Sequence, residues 1–368
     1  MESNDILFQP IALGETELRN RIVMASMTRA RTDDPEHVPG PAQVEYYRQR
    51  ASAGLIITEG TWPSTEAVGA HYVPGLFTEK QAEGWKRVTE AVHEEGGRIF
   101  VQLGHSGAAS HSDLLGGKPP LAPSAVGLEQ RIFTPGGFKI SSTPKAMTVD
   151  DIARTANDYA HAVRLAQKAG FDGVELHGTV SYLIPEFLSD QFNLRDDQYG
   201  GSVENRARFA LEILEAMISA WRPGRIGFKI SPGVSIGNFQ PTGQTLPTYE
   251  YLVSQISKLK IAYLQFQHPA NDLTGTPVET LNDGTTAHFR KFYDGLIMAN
   301  GGLTADSARA EINSGSADLV SFGAPYIANP DLVERLQHGS TLSIADKETY
   351  YEGGTRGYTD YPRAMVSN

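Results

Sequence analysis

The stretch at residues 173–209, GVELHGTVSYLIPEFLSDQFNLRDDQYGGSVENRARF, decides the fold. It opens on a short predicted strand, and His177 follows that strand directly. Tyr182 comes five residues after the histidine, and the apolar Val180 stands between them. A histidine and a tyrosine at the end of a buried strand suggest a pair of groups that transfers protons.

Short β-rich runs of the same kind recur along the whole chain and alternate with segments of helical period. Eight such runs are present, at residues 21–25, 55–60, 98–104, 173–178, 225–231, 261–267, 296–302 and 318–323. Between them, residues 78–95, 148–169, 202–221 and 304–314 carry apolar side chains at spacings of three and four. Thr148 and Thr304 are predicted to cap two of these helices. Buried strands joined by helices predict a parallel sheet, and eight units predict a (β/α)8 TIM barrel formed as one domain over residues 1–368.

A doubly wound sheet is the alternative α/β fold. It calls for a G-x-G-x-x-G turn after an early strand, and the chain has none. The long segment at 104–147, after the third strand, is predicted to be an insertion that caps the barrel. Within it, IFTPGGFKI at residues 132–140 predicts a small β-hairpin.

Composition excludes several classes of function. A net charge of −11 and the lack of a basic run argue against nucleic-acid binding. No apolar run approaches the length of about 20 residues that spans a bilayer, so no membrane association is expected. The chain has no cysteine, which excludes disulfides, thiolate metal sites and a cysteine nucleophile; we predict no metal site. The first ten residues, MESNDILFQP, lack the features of a signal peptide, and a cytoplasmic location is expected.

Polar residues and glycines collect at the carboxyl ends of the predicted strands, where barrel enzymes carry their sites. They are Ser26, Thr28, Glu59, Gly60, Gln102, His177, Lys229, Gln267, His268, Asn300, Gly301 and Gly323. A solvated rim would look similar, but Gln102 and Lys229 end strongly apolar strands. There, an unpaired polar group costs a few kcal/mol.

The last two predicted strands end in ANGG (299–302) and SFGA (321–324). Either turn alone is explained equally well by the left-handed backbone that glycine adopts readily. Glycine turns after both the seventh and the eighth strand, each leading into a helix, are typical of a phosphate site in barrels. Together they favour a cofactor that carries a phosphate.

Several long motifs resemble one family, the Old Yellow Enzyme family of flavin-dependent ene-reductases. They are NRIVMASMTRAR, FVQLGHSG, the stretch at 177–209, ANGGLTADSA, FGAPYIANPDLVERL and YYEGGTRGYTDYP, in this order from about residue 8 to residue 362. The resemblance implies a barrel that holds FMN and uses NAD(P)H to reduce it. The expected partner is a small molecule whose alkene is conjugated to a carbonyl or nitro group. The resemblance leaves open whether the chain forms a homo-oligomer, because relatives occur as monomers and as oligomers.

The resemblance also implies roles for matched residues. His177 is expected to bind the substrate oxygen and Tyr182 to donate the proton, with Tyr351 near the substrate mouth. Thr28 is expected to contact the flavin and Gln102 to hydrogen-bond its pyrimidine edge. The remaining cofactor-binding positions are Ser26, Met27, Gly60, Lys229, Asn300, Gly301, Gly302, Gly323 and Ala324.

The chain departs from the family pattern at four positions. Val180 replaces a second hydrogen-bond donor to the substrate, and Gly104 replaces an aromatic residue, which predicts a roomier, less polar pocket. Lys229 replaces an arginine beside the flavin, and Ala324 replaces the arginine that clamps the phosphate, which predicts FMN binding that is weakened or lost. A flavin-poor enzyme catalysing isomerisation or cyclisation with His177 and Tyr182, and a binding protein without catalysis, are the alternatives.

Overall fold

A computed structural model describes residues 5–364, and eight of their strands close into a parallel barrel. The fourteen strands are β1 (Ile11–Leu13), β2 (Thr16–Leu18), β3 (Ile22–Met24), β4 (Leu55–Thr61), β5 (Ile99–Leu103), β6 (Leu121–Ala122), β7 (Arg131–Thr134), β8 (Gly137–Ile140), β9 (Lys145–Ala146), β10 (Gly173–Gly178), β11 (Ile226–Ile230), β12 (Tyr263–Gln267), β13 (Ile297–Asn300) and β14 (Leu319–Phe322). The order around the barrel is β10-β11-β12-β13-β14-β3-β4-β5. All eight predicted strands therefore form, and the predicted (β/α)8 barrel is confirmed in place of a doubly wound sheet.

Ten α-helices accompany the strands within the described residues. They are α1 (Pro41–Arg48), α2 (Glu79–Glu94), α3 (Val149–Lys168), α4 (Leu183–Leu188), α5 (Val203–Ala220), α6 (Thr245–Leu259), α7 (Thr285–Phe289), α8 (Ala305–Asn313), α9 (Ala324–Ala328) and α10 (Leu332–His338). Short 3-10 turns lie at Ile6–Phe8, Thr65–Ala67, Ser112–Leu114, Pro223–Arg225, Glu279–Asp283, Arg290–Phe292 and Lys347–Thr349. Over residues 5–364, we find no helix with both the length and the apolar character needed to cross a membrane.

Both predicted helix caps form. The Thr148 hydroxyl accepts a hydrogen bond from the backbone N–H of Asp151 at the start of α3, and the Asp151 carboxylate accepts from the Thr148 N–H. Thr304 makes the equivalent contact with the N–H of Ser307 at the start of α8. These caps satisfy backbone donors that a helix leaves unpaired, and they fix where each helix begins after its strand.

The barrel interior changes from apolar to polar along its axis. At the amino-terminal end, apolar side chains such as Phe100, Met298 and Leu319 fill the interior, and Leu13 and Leu18 from the β1–β2 hairpin pack beneath them. Nearer the carboxyl ends of the barrel strands, the inward positions carry Gln102, Glu175, Lys229, Gln265 and Ser321. All five of these polar side chains are buried. The carboxyl ends of the strands therefore present a polar surface that a bound molecule can contact.

The segment after β5 contains the predicted hairpin. β7 and β8 pair antiparallel, with Thr134 opposite Gly137, and Gly137 takes the positive φ of 94° that the turn requires. Phe138 of β8 is 61% exposed. A short parallel pair, β6 and β9, flanks the hairpin in the chain.

Candidate active site

His177 and Tyr182 lie side by side at the carboxyl end of β10. Their ring centroids are 4.9 Å apart and their planes are inclined by 20°. Tyr182 lines a cavity of about 540 Å³ together with Thr28, Tyr351 and the hairpin residues Phe133 and Phe138. Its wall combines aromatic and aliphatic side chains with polar and charged ones such as His71, Gln130 and Arg131, and a cavity of this size can hold a small organic molecule.

The backbone after β10 sets the positions of these two rings. The N–H of Thr179 points to Nδ1 of His177 at 3.3 Å, so the neutral ring carries its proton on Nε2 and can donate a hydrogen bond from there. Val180 adopts φ of +54°, a conformation that β-branched residues rarely take, and its N–H donates to Oγ of Ser231 at 3.1 Å. Tyr182 then stands at the N-cap of α4.

The protonation states of both rings suit hydrogen-bond donation at neutral pH. Burial and the nearby charge of Lys229 lower the pKa of His177 from 6.5 to about 3, which keeps the imidazole neutral. Burial, with a smaller contribution from Tyr351, raises the pKa of Tyr182 from 10.0 to about 12. The phenol therefore retains its proton across the physiological range.

A chain of hydrogen bonds crosses the polar layer of the barrel beside this pair. Oγ of Ser26 donates to Oε1 of Gln102 at 2.7 Å, and Nε2 of Gln102 donates to Oε1 of Glu175 at 2.7 Å. The hydroxyl of Tyr263 donates to the other Glu175 oxygen at 2.9 Å. Lys229 is paired with His177 across neighbouring strands, and burial lowers the pKa of its ammonium group, against the attraction of Glu175.

The two glycine turns form a second part of the site. Gly301 and Gly302 have φ of 105° and 65°, which L-residues with side chains rarely adopt. Among residues 5–364, no acceptor takes the backbone N–H of Gly302 or of Gly323. A Cβ at Gly323 would lie 3.6 Å from Sδ of Met27, so Met27 packs beside this turn. Open backbone donors on residues that have no side chain of their own fit a phosphate group.

Four other predicted positions each have distinct neighbours. A Cβ at Gly60 would lie 3.5 Å from Oε1 of Gln102 and 3.9 Å from Oγ1 of Thr28, so Gly60 lies beside these two predicted flavin contacts. A Cβ at Gly104 would lie only 3.2 Å from Cβ of His177. The side-chain amide of Asn300, which was predicted to contact the cofactor, donates a hydrogen bond to Oγ of Ser321 at 2.9 Å within the barrel wall. Ala324 is exposed at the first position of α9.

The sequence interpretation missed several residues that the fold brings to this site. Glu175 lies within a predicted buried strand, and an acidic residue at such a position could have indicated a functional site. Ser231, which holds the backbone of Val180, follows β11 and gave no pattern of its own. Phe138 was predicted to be in the hairpin, but its place on the cavity wall depends on how the hairpin folds back.

Comparisons with known proteins agree with this geometry. The profile of the NADH:flavin oxidoreductase / NADH oxidase family matches residues 6–343. The chain is 40% identical to flavin oxidoreductase hxnT of Emericella nidulans, with 98% of each chain covered. It is 38% identical to a probable flavin mononucleotide-dependent alkene reductase of Leishmania infantum, again over 98% of each. The solved structure of morphinone reductase in complex with tetrahydroNAD superposes with a TM-score of 0.92 at 40% identity, covering 99% of both chains.

The barrel and its site define a flavin-dependent NAD(P)H oxidoreductase. The chain belongs to the NADH:flavin oxidoreductase / NADH oxidase family, that is, to the Old Yellow Enzymes. The FMN of this family fits the residues present, since the open N–H groups of Gly302 and Gly323 match its phosphate. The polar layer at Gln102 and Lys229 offers hydrogen-bonding groups to a flavin ring.

Proposed function

We propose that this protein uses NAD(P)H to reduce the C=C bond of an α,β-unsaturated carbonyl compound, with FMN as its cofactor. The observation that carries the proposal is the stacking of the His177 and Tyr182 rings, with centroids 4.9 Å apart, where Tyr182 lines a cavity of about 540 Å³. Tyr182 lines the cavity and His177 stacks on it, so two neutral donors lie together where an enone would change its charge and its protonation.

When bound, FMN supplies the hydride, and the side chains of the chain stabilise the charge that results. Hydride addition to the β-carbon places negative charge on the substrate oxygen. The Nε2–H of His177 binds that oxygen, and one well-placed donor of this kind contributes about 3 kcal/mol to transition-state stabilisation. Tyr182 then transfers its proton to the α-carbon as a general acid.

Lys229, Gln102 and the glycine turns would hold the cofactor. The Lys229 ammonium provides positive charge in the polar layer, but it lacks the two-pronged geometry of an arginine. The N–H groups of Gly302 and Gly323 would donate hydrogen bonds to the phosphate. Without a charged side chain at Ala324, that phosphate loses a contact of about 1.5–3 kcal/mol, so we infer that FMN binds tens of times more weakly than with an arginine there.

The substrate pocket is also inferred to be roomier and less polar than one with the family's usual residues. Val180 presents no donor to the substrate oxygen, which leaves His177 as the donor on this side. Gly104 presents no side chain beside His177, where even a Cβ would lie at 3.2 Å. Both features favour larger, apolar enones over small ones that depend on paired hydrogen bonds.

The non-redox alternative, isomerisation or cyclisation by a flavin-poor enzyme, uses the same pair of rings. Two relatives that are named as reductases, an alkene reductase and morphinone reductase, favour the redox reaction.

The decisive experiment adds FMN to the purified protein and follows its visible spectrum. We expect an absorption band near 450 nm that NADH or NADPH bleaches without oxygen and that an added enone restores. A protein that stays colourless in excess FMN, or a bleached flavin that no enone reoxidises, contradicts the proposal.

A further inference from the structure

Glu175 is a buried carboxyl group that the mechanism above does not use. Its side chain is 0% exposed and lies in the middle of β10, two residues before His177 and facing the same side of the strand. A carboxyl group in the interior of a barrel costs several kcal/mol unless other groups compensate it. Its contacts therefore indicate what it does.

Neighbouring side chains donate hydrogen bonds to both oxygens of this carboxyl group. Nε2 of Gln102 donates to one oxygen at 2.7 Å and the hydroxyl of Tyr263 donates to the other at 2.9 Å. Tyr263 can reach across only because Gly227 has no side chain: a Cβ there would lie 2.2 Å from Cζ of the tyrosine ring. The strand pairing of Gly227 with Glu175 and with Tyr263 puts all three at one level of the barrel.

The contact with Gln102 fixes which way the amide points. Oε1 of Gln102 accepts from Ser26, and Nε2 donates one of its hydrogens to Glu175. A carboxylate can only accept, so the amide cannot rotate by 180° without placing two oxygens against each other. The second hydrogen on Nε2 and the free lone pair on Oε1 keep a defined direction.

The charge of Glu175 also balances that of Lys229. Lys229 lies on the neighbouring strand beside His177, and the attraction of Glu175 acts to raise the pKa of its ammonium group while burial lowers it. The titratable groups that act on Glu175 are Lys229 and Tyr263. Burial disfavours the charged form of both Lys229 and Glu175, and the charge of each favours the charged form of the other.

We propose that Glu175 is a positioning residue of the flavin site: it orients the Gln102 amide and, as a buried negative charge, makes the bound flavin harder to reduce. The inference rests on the proposed function, since it requires FMN in the barrel. A negative charge one hydrogen bond away from the flavin's predicted partner disfavours the addition of electrons. A positive charge on Lys229 has the opposite effect, so the two residues together set the reduction potential of the bound flavin.

The test compares the FMN-loaded wild type with Glu175→Gln. Glutamine has nearly the same size and keeps an acceptor for Gln102, while it removes the charge. We expect the reduction equilibrium at pH 8.5 to favour reduced flavin at least tenfold more in the variant, a shift of about 30 mV for a two-electron couple. An unchanged midpoint potential overturns the inference.

The pH dependence separates the effect of charge from a structural effect. Burial raises the pKa of Glu175 from 4.5 to about 7, so the carboxyl group is mostly neutral at pH 6 and charged at pH 8.5. The difference in potential between wild type and Glu175→Gln should therefore shrink at pH 6. A difference that is equal at both pH values indicates a merely structural role and contradicts the inference.

Tyr263→Phe provides the second variant, and it also covers the case in which Glu175→Gln does not fold. Phenylalanine keeps the ring over Gly227 but withdraws one hydrogen bond from the carboxylate, which raises the pKa of Glu175 further. The pH at which the potential changes slope should move upward. If that pH is the same as in the wild type, the result argues against the inference.

A wild type that binds no FMN overturns both this inference and the proposed function, whereas normal FMN binding with unchanged potentials overturns only the inference.

Discussion

The phenol of Tyr182 stacks against the imidazole of His177 at a centroid distance of 4.9 Å, and both groups are neutral hydrogen-bond donors at physiological pH. This relationship assigns different tasks to adjacent side chains. In the proposed reaction the histidine would hold the substrate oxygen, and the adjacent tyrosine would protonate a carbon of the same substrate.

Tyr182→Phe should separate the two half-reactions. Loss of a general acid costs about 10²–10⁴-fold in rate. We expect the reoxidation of reduced flavin by an enone to slow by that factor, while reduction of the flavin by NAD(P)H keeps its rate. Stopped-flow absorbance at the flavin band measures each half-reaction separately. Equal rates of enone reduction in both proteins would exclude Tyr182 as the proton donor.

The pH profile of enone reduction should be flat through the range in which an ordinary histidine titrates. The folded-state pKa of His177, about 3, lies below the ordinary 6.5, so the ring stays neutral down to acidic pH. We expect kcat/KM to show no change attributable to His177 between pH 5 and 8. His177→Ala should lower kcat/KM by roughly 100-fold at every pH in this range. An inflection near pH 6.5 that vanishes in this variant would contradict the assignment.

Glu59 should make the protein less stable as the pH rises. The carboxyl group is buried at the end of β4, where one oxygen accepts from the N–H groups of Arg29 and Ala30. Burial raises its pKa from 4.5 to about 7. A raised folded-state pKa means that this contribution to stability is fully present below pH 4.5 and is lost as the pH passes through 7.

The measurement for Glu59 is urea unfolding at pH 5 and at pH 8. Glu59→Gln removes the titration, so the variant should lose less stability between these pH values than the wild type, by a few kcal/mol at most. Glu175 has a similar pKa and remains in both proteins, so it cancels from the comparison. Identical pH dependence in the two proteins would show that Glu59 does not titrate in this range.

Much of the fold was predictable because strand and helix periods are local. The eight β-rich runs became the eight barrel strands, and Thr148 and Thr304 cap the helices that they were predicted to cap. The polar layer was harder to predict. Glu175 and Tyr263 meet only because Gly227 leaves room, and such a contact over an intervening strand has no signature in the spacing of residues. The left-handed backbone at Val180 could not be predicted either, because valine disfavours this conformation.

Ala324→Arg should tighten the binding of FMN. Ala324 is exposed beside Gly323, whose N–H is open, so a guanidinium can reach a phosphate at this turn without displacing a buried group. A charge-assisted contact of about 1.5–3 kcal/mol corresponds to a tenfold to hundredfold lower Kd. Titration of the apoprotein with FMN, followed by flavin fluorescence, measures it. Ala324→Gln is the uncharged control, and an equal gain in both variants would rule out a charge effect.

Val180→Asn should raise both stability and affinity for small enones. Asparagine adopts positive φ more readily than any β-branched residue, so relief of the strain at φ of +54° should stabilise the fold by about 1 kcal/mol. The backbone N–H keeps its contact with Ser231, because the substitution changes only the side chain. The new amide also offers a second donor beside His177, which should lower the KM of a small cyclic enone several-fold. Val180→Ala relieves part of the steric strain but adds no donor. If alanine lowers the KM as much as asparagine does, the effect comes from the backbone, and the missing donor at Val180 is not what limits small substrates.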